Sequence, residues 1–170
     1  FNDYRSALAD GLGTVPSSTE IASFFDIFPV RAMAADIFSI VEDARIDYKL
    51  TDQYKGLAPH YSEVQANALA GRGPIELMPA QQAMVEMLIR LSLHQTGGIH
   101  VPTKYIDHAR QIAGLLRSVQ NDEVSVEDSA EATLRLYHAI SQVPNELVPL
   151  DDWEEVDLSA ATFEEPALTD

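Results

Sequence analysis

Residues 30–54 read VRAMAADIFSIVEDARIDYKLTDQY and carry the longest helical pattern in the chain. Apolar side chains recur along this stretch at intervals of four, four, three and four residues, at Met33, Ile37, Val41, Ala44 and Tyr48. This spacing places them on one face of an α-helix, and Phe38 and Ile40 widen that face. We therefore predict a helix over 30–54 and expect it to lie at the centre of the domain.

Further helical patterns lie on both sides of this stretch and are separated by proline and glycine. They cover residues 3–12, 17–28, 61–70, 79–95, 103–120 and 125–143. The segment 17–28 carries an aromatic and aliphatic stripe that we expect to be buried, formed by Ile21, Phe24, Phe25 and Phe28. No alternating stretch is long enough to argue for a sheet. The sequence predicts an all-α fold, a bundle of about six or seven helices within a domain of residues 1–144.

The chain is strongly acidic, with 11 Lys and Arg against 27 Asp and Glu among 170 residues and a formal charge of −16. Nine of the acidic residues lie in 145–170, which contains no lysine or arginine. We predict an acidic and largely irregular tail or linker there, in which Trp153 and Phe163 either pack on the body or stay in an extended chain. Such a charge argues against binding to nucleic acid, because that binding depends on Lys and Arg displacing counterions from phosphates.

Composition also bears on compartment and chemistry. The absence of cysteine excludes a disulfide framework, a thiolate metal site and a cysteine nucleophile. No apolar run approaches the length of a membrane span, and we expect a cytoplasmic protein. The chain starts at Phe1 without a signal-like segment, so we interpret it as a piece of a longer protein.

Motifs that carry known chemistry are not found in the sequence. Neither phosphate-binding glycine pattern occurs, and none of the five histidines belongs to a zinc or di-iron motif. We therefore assign no catalytic, cofactor-binding or metal-binding residue, and we expect no cofactor in this chain. The alternative of a hydrolase built from loops around His60, His94 and His100 stays open, because one sequence does not show which residues meet in space.

An unusually polar group of residues stands out within the apolar helix. We call Glu42, Asp43, Arg45 and Asp47 the polar cluster. Glu42 and Arg45 are three residues apart and within reach of each other, and Asp43 and Asp47 are four apart on an adjacent face. The two aspartates are therefore placed to bracket a guanidinium or a cation of a partner. The cluster predicts either an internal structural contact or a docking face.

The same region carries a resemblance to a known family. Residues 25–47, FDIFPVRAMAADIFSIVEDARID, followed by YKGL at 54–57, resemble the helical region before the von Willebrand factor A domain in the nitric-oxide-reductase activation and Rubisco-activation proteins. The most specific elements are the Phe28–Pro29 turn, the spacing from Phe38 to Arg45 with Glu42 and Asp43 between them, and the ending at Tyr54 and Gly56. They cover about a fifth of the chain.

The resemblance implies a non-enzymatic adaptor that works with a MoxR-type AAA+ ATPase and couples it to remodelling, activation or metal insertion in a client enzyme. The Asp-x-Ser-x-Ser metal motif of the A domain is incomplete here, since the stretch from Asp157 through Ser159 lacks its last serine. We therefore expect the A domain to follow Asp170, outside this chain. A helical scaffold that spaces two domains is the alternative to an adaptor.

Overall fold

The computed structural model describes residues 17–163 and is mostly helical, as the sequence predicts. Its helices are α1 (Ser17–Asp26), α2 (Arg31–Gln53), α3 (Ala58–Ala70), α4 (Ala80–Ser92), α5 (Ile106–Ser118) and α6 (Val126–Ser141). A small sheet consists of β1 (Ile99–Pro102) and β2 (Trp153–Val156). Short 3₁₀ turns span Lys55–Leu57, Ile75–Leu77, Thr103–Tyr105 and Leu150–Asp152. The predicted helix over 3–12 and the end of the tail, 164–170, lie outside the described residues.

Helix α2 packs against α1, α4 and α6. Its fully buried face is formed by Ala34, Ile37, Val41 and Ala44. Ile37, Val41 and Ala44 belong to the predicted stripe, but Ala34 is buried in place of its neighbour Met33, and Met33 and Tyr48 are only partly buried. The central position predicted for this helix is confirmed because three neighbouring helices share its apolar face.

The rest of the core is formed where α4, α5 and α6 pack against one another. The largest side chains buried there include Met84, Met87, Leu88, Ile112, Leu115, Leu136 and Ile140. Helix α6 begins at a capping box, in which the backbone N–H of Ser125 donates to the Asp128 carboxylate over 2.7 Å. Burial of these aliphatic side chains supplies the main driving force for folding.

An aromatic group joins the turn between α1 and α2 to α6. Phe28 lies 4.8 Å from the ring of Tyr137, and the Tyr137 hydroxyl accepts a hydrogen bond of 2.9 Å from the backbone N–H of Val30. Phe24 and Phe28 are buried as predicted, but Ile21 is exposed. Helix α1 therefore covers the core with only part of its predicted stripe.

Residues 145–163 contain one short strand and one 3₁₀ turn and are otherwise irregular, and Trp153 and Phe163 pack against the core, which is one of the two alternatives left open by the sequence. Strand β2 pairs with β1 in antiparallel register, with Ile99 opposite Val156 and Pro102 opposite Trp153. After β2, the side chain of Leu158 is buried, and its backbone N–H donates to the carbonyl of Thr96 over 2.8 Å. The acidic side chains of β2, Glu154 and Glu155, stay in solvent, while Trp153 and Val156 pack against the core. No carboxylate of this strand is therefore buried by the packing.

The segment after β2 crosses α5 at a glycine. A Cβ added to Gly114 would lie 2.6 Å from the carbonyl carbon of Thr162, so only glycine permits this approach. Arg117 then donates to the carbonyl of Ala161 over 2.8 Å. The close approach of the segment at Thr162 thus explains why a buried glycine lies in the middle of α5.

Candidate functional site

The polar cluster divides between two sides of α2, and its first half faces α6. Arg45 binds Glu42 through two hydrogen bonds, from Nε to Oε2 over 2.9 Å and from Nη2 to Oε1 over 2.5 Å. The side chains of Glu42 and Arg45 are only 19% and 13% exposed. Arg45 and Lys49 also reach the carbonyl of Val124, over 3.4 and 2.5 Å, just before α6 begins. This half of the cluster connects α2 to the start of α6.

The electrostatics of the pair favour its ionised form. The hydrogen bonds from Arg45 lower the pKa of Glu42 against the opposing effect of burial, and the nearby hydroxyl of Ser129 adds to this lowering. Glu42 in turn raises the pKa of Arg45, with smaller contributions from Asp128 and Glu127. Both groups are charged at neutral pH, so the contact is a partly buried ion pair.

The second half of the cluster has a different environment. Asp43 is exposed, and Asp47 is partly buried. Burial raises the pKa of Asp47, and the charge of Asp43 raises it further, while His94 and a hydrogen bond with Gln65 oppose the change. Gln65 is the buried side chain of α3, so Asp47 lies where α3 and the end of α4 meet α2.

The structure therefore separates residues that are close in sequence. It brings Glu42 and Arg45 together, but Arg45 turns toward Val124 rather than lying between Asp43 and Asp47. The exposed carboxylate of Asp43 is left on the solvent side of α2, beside the exposed side chain of Ile46. Glu42 and Arg45 connect α2 to the start of α6, whereas the carboxylate of Asp43 faces solvent.

A second polar cluster was not anticipated from the sequence. Arg72 donates to both oxygens of the Glu86 carboxylate, each over 2.5 Å, and Arg90 donates to Glu86 Oε1 over 2.9 Å. Arg90 also donates to the carbonyl of Gly73 over 2.5 Å. Burial alone raises the pKa of Glu86, but the hydrogen bonds from the two arginines outweigh it and hold the pKa below its usual range. We call Arg72, Glu86 and Arg90 the Glu86 cluster. Its hydrogen bonds attach the loop after α3 to α4.

The histidines considered for catalysis occupy different surroundings. His60 is exposed on α3, and His94 adopts a positive φ of 66° just after α4. His100 on β1 contacts Glu76 and faces Glu155 on β2, with Nε2 3.9 Å from Oε2. Within residues 17–163, no group of three or more His, Asp or Glu side chains is arranged to hold a metal ion.

Each lysine and arginine of the described region contacts a carboxylate, a carbonyl or an aromatic ring of the same chain. They are Arg31, Arg45, Lys49, Lys55, Arg72, Arg90, Lys104, Arg110, Arg117 and Arg135. The acidic residues outnumber them, so the charge that the surface offers to a partner is negative. No helix among the described residues has the length and apolarity needed to cross a membrane.

Comparison with protein-family models, with curated proteins and with solved structures finds no significant match to this chain.

Proposed function

We propose that this chain is a helical, non-enzymatic adaptor domain of a cytoplasmic protein that works with a MoxR-type AAA+ ATPase. In this proposal it serves the remodelling, activation or metal insertion of a client enzyme. The resemblance of residues 25–57 to the region before a von Willebrand factor A domain motivates the choice of partner. The observation that supports docking is the division of the polar cluster into a buried ion pair and an exposed acidic face.

The ion pair gives the docking face a fixed position. Because Glu42 and Arg45 connect α2 to the start of α6, the solvent side of α2 has a fixed position relative to the core. A surface that is rigid before binding loses less conformational entropy on association. Asp43 and Ile46 on that side combine a charge with an apolar side chain, which is the usual composition of a protein interface.

Charge determines the kind of surface that fits. The cations of the described residues are engaged within the chain, so we expect the partner to contribute lysine or arginine opposite Asp43. A charge at the rim of an interface mainly accelerates association and selects among partners. The docking should therefore weaken as salt concentration rises.

The test uses the full chain and a purified MoxR-type ATPase from the same organism, loaded with a slowly hydrolysed ATP analogue. Binding is measured by biolayer interferometry for the wild type, for D43N combined with I46S, and for D107N. Asp107 is an exposed acid on α5, so D107N removes a charge far along the chain from the proposed face. We expect the α2 double variant to weaken binding at least tenfold and the control to stay within twofold of the wild type.

Thermal unfolding of each variant separates docking from folding. Loss of binding with unchanged melting supports the docking face, whereas loss of both assigns the residues to stability alone. Absence of ATPase binding by the wild-type chain contradicts this proposal. An equal loss in D107N indicates general attraction to an acidic protein and contradicts a specific face on α2.

A further inference from the structure

The loop between α6 and β2 exposes two large apolar side chains in a short stretch. We call residues 144–152 the leucine loop. Leu147 is 72% exposed and Leu150 is 63% exposed. Single exposed leucines are ordinary on protein surfaces, but two on one short loop beside a cavity form a patch that water solvates poorly.

Hydrogen bonds attach this loop to α4 and to β2. The backbone N–H of Ala80 donates to the carbonyl of Glu146 over 2.7 Å, and the indole N–H of Trp153 donates to the carbonyl of Val148 over 3.2 Å. Pro144 and Pro149 restrict the backbone further. The leucines are therefore presented by a fixed scaffold, so that binding does not require the loop to become ordered.

A groove of about 370 Å³ lies beside Leu147, one of the two exposed leucines. Its apolar walls are formed by Tyr105, Pro144, Leu147, Val148 and Pro149. The volume accommodates one or two side chains of a partner.

The rim of this groove is acidic. Glu146 and Asp152 line it, and Asp151 is exposed next to them. The one lysine at the groove, Lys104, lies 5.0 Å from the centre of the Tyr105 ring and is held against that ring. A ligand that places an apolar side chain in the groove therefore lies close to the acidic residues Glu146 and Asp152.

We propose that the leucine loop and this groove bind a basic amphipathic segment of a partner protein. The segment inserts an apolar side chain between Leu147 and Tyr105 and pairs lysine or arginine with Glu146 and Asp151. This site is separate from the face of α2 and does not depend on the identity of the ATPase. Because the groove is small, the interaction is of the weak, transient class.

Trp153 provides a direct measurement, because it is the single tryptophan of the chain and its indole is bonded to the leucine loop. The probe is a synthetic peptide of leucine and lysine with leucines at i, i+3, i+4 and i+7, free of tryptophan. Titration into the full chain is followed by Trp153 fluorescence. A peptide with the same leucines and glutamate in place of lysine is the charge control.

The expected result is saturable binding of the lysine peptide and no binding of the glutamate peptide. L147A removes a side chain that lines the groove and should weaken binding by about fivefold or more, whereas L150A changes the same loop outside the groove lining and should weaken it less. V64A removes a similarly exposed apolar side chain from α3 and should leave the affinity within twofold. D151N should weaken binding more than D107N does.

Three outcomes overturn the proposal. Equal losses in V64A and L147A mean that the peptide binds exposed apolar surface in general. Equal losses in D107N and D151N mean that net charge alone attracts it. Sedimentation that shows a wild-type dimer, converted to a monomer by L147A, assigns the loop to a second copy of this chain.

Discussion

Replacing Glu86 by glutamine tests the energetic role of the Glu86 cluster. The carboxylate accepts three hydrogen bonds from two guanidinium groups and its side chain is only 6% exposed. In the variant E86Q both arginines lose their counter-charge, and Arg90 stays mostly buried while Arg72 is able to turn toward water. Removing one partner of a fully buried ion pair costs about 3–5 kcal/mol. Because Arg72 is able to regain water, we expect a loss of about 2–4 kcal/mol in the free energy of unfolding.

The pH dependence adds a second readout with a defined sign. Since the pKa of Glu86 is lowered in the fold, the unfolded chain binds this proton more readily than the folded chain does. Its contribution is therefore complete above the unfolded pKa of about 4.3 and is lost as the pH falls through the folded pKa. The stability difference between wild type and E86Q should accordingly shrink in acid.

Urea unfolding followed by circular dichroism at pH 7 and at pH 3 measures both effects. Two variants serve as controls. R72M leaves Glu86 paired with Arg90 and should cost less than E86Q does. E131Q removes an exposed helix pair with Arg135 and should cost no more than about 0.5 kcal/mol. If E86Q costs no more than E131Q and shows no dependence on pH, the cluster does not stabilise the fold.

Variants at three further positions test other contacts. R45A should lower the free energy of unfolding by about 2–3 kcal/mol because it leaves Glu42 partly buried and unpaired, and R45K should recover only part of this loss, as thermal melts would show. D47N should stabilise the chain at pH 7 and do so by less at pH 4, because a raised pKa in the fold means that ionisation of Asp47 favours the unfolded state; urea unfolding at both pH values measures this. G114A should displace the segment at Thr162 and increase hydrogen exchange over residues 158–163, even though alanine is the better helix former by about 1 kcal/mol.

Helical periodicity predicted most of the fold because nearly every long element buries one face. The stripe of α2 is predicted correctly at Ile37, Val41 and Ala44, since these residues are buried on the helix that contacts α1, α4 and α6. Element ends were less predictable. The residue directly after α4 that adopts a left-handed conformation is His94, a residue type that seldom does so, and Gly98 adopts the same conformation four residues later.

The small sheet was missed because its signal is weak. Strand β1 has four residues and ends in proline, and β2 has two adjacent glutamates between Trp153 and Val156. Composition alone suggests a solvated linker for such a stretch. β1 also packs against α4 and α5, and this packing favours its pairing with β2. The local sequence of the two strands does not indicate that contact.

The two polar clusters differ in how well the sequence predicts their contacts. The contact between Glu42 and Arg45 follows from their spacing on one helix. Glu86 and Arg90 also have helical spacing, but Arg72 lies 14 residues before Glu86 in a loop between glycines. The available signal was a glutamate within the apolar face of α4, since a charge in that position requires a partner.

Because the lysines and arginines contact groups of the same chain, we expect salt to affect the stability of the chain and its affinity for a basic partner differently. The pairs at Glu42 and Glu86 are shielded from solvent, and salt screens such contacts much less than exposed ones. The remaining negative charges repel one another across the surface, and this repulsion destabilises the compact state. Raising the ionic strength from about 0.01 to 0.5 M shortens the screening length from roughly 30 Å to a few ångströms, so it should stabilise the chain against urea. The same change should weaken binding to a basic partner, since attraction to exposed acids is screened equally. Stability and affinity should therefore change in opposite directions in a salt series, and a parallel decrease of both would mean that the ion pairs holding the helices are exposed to solvent.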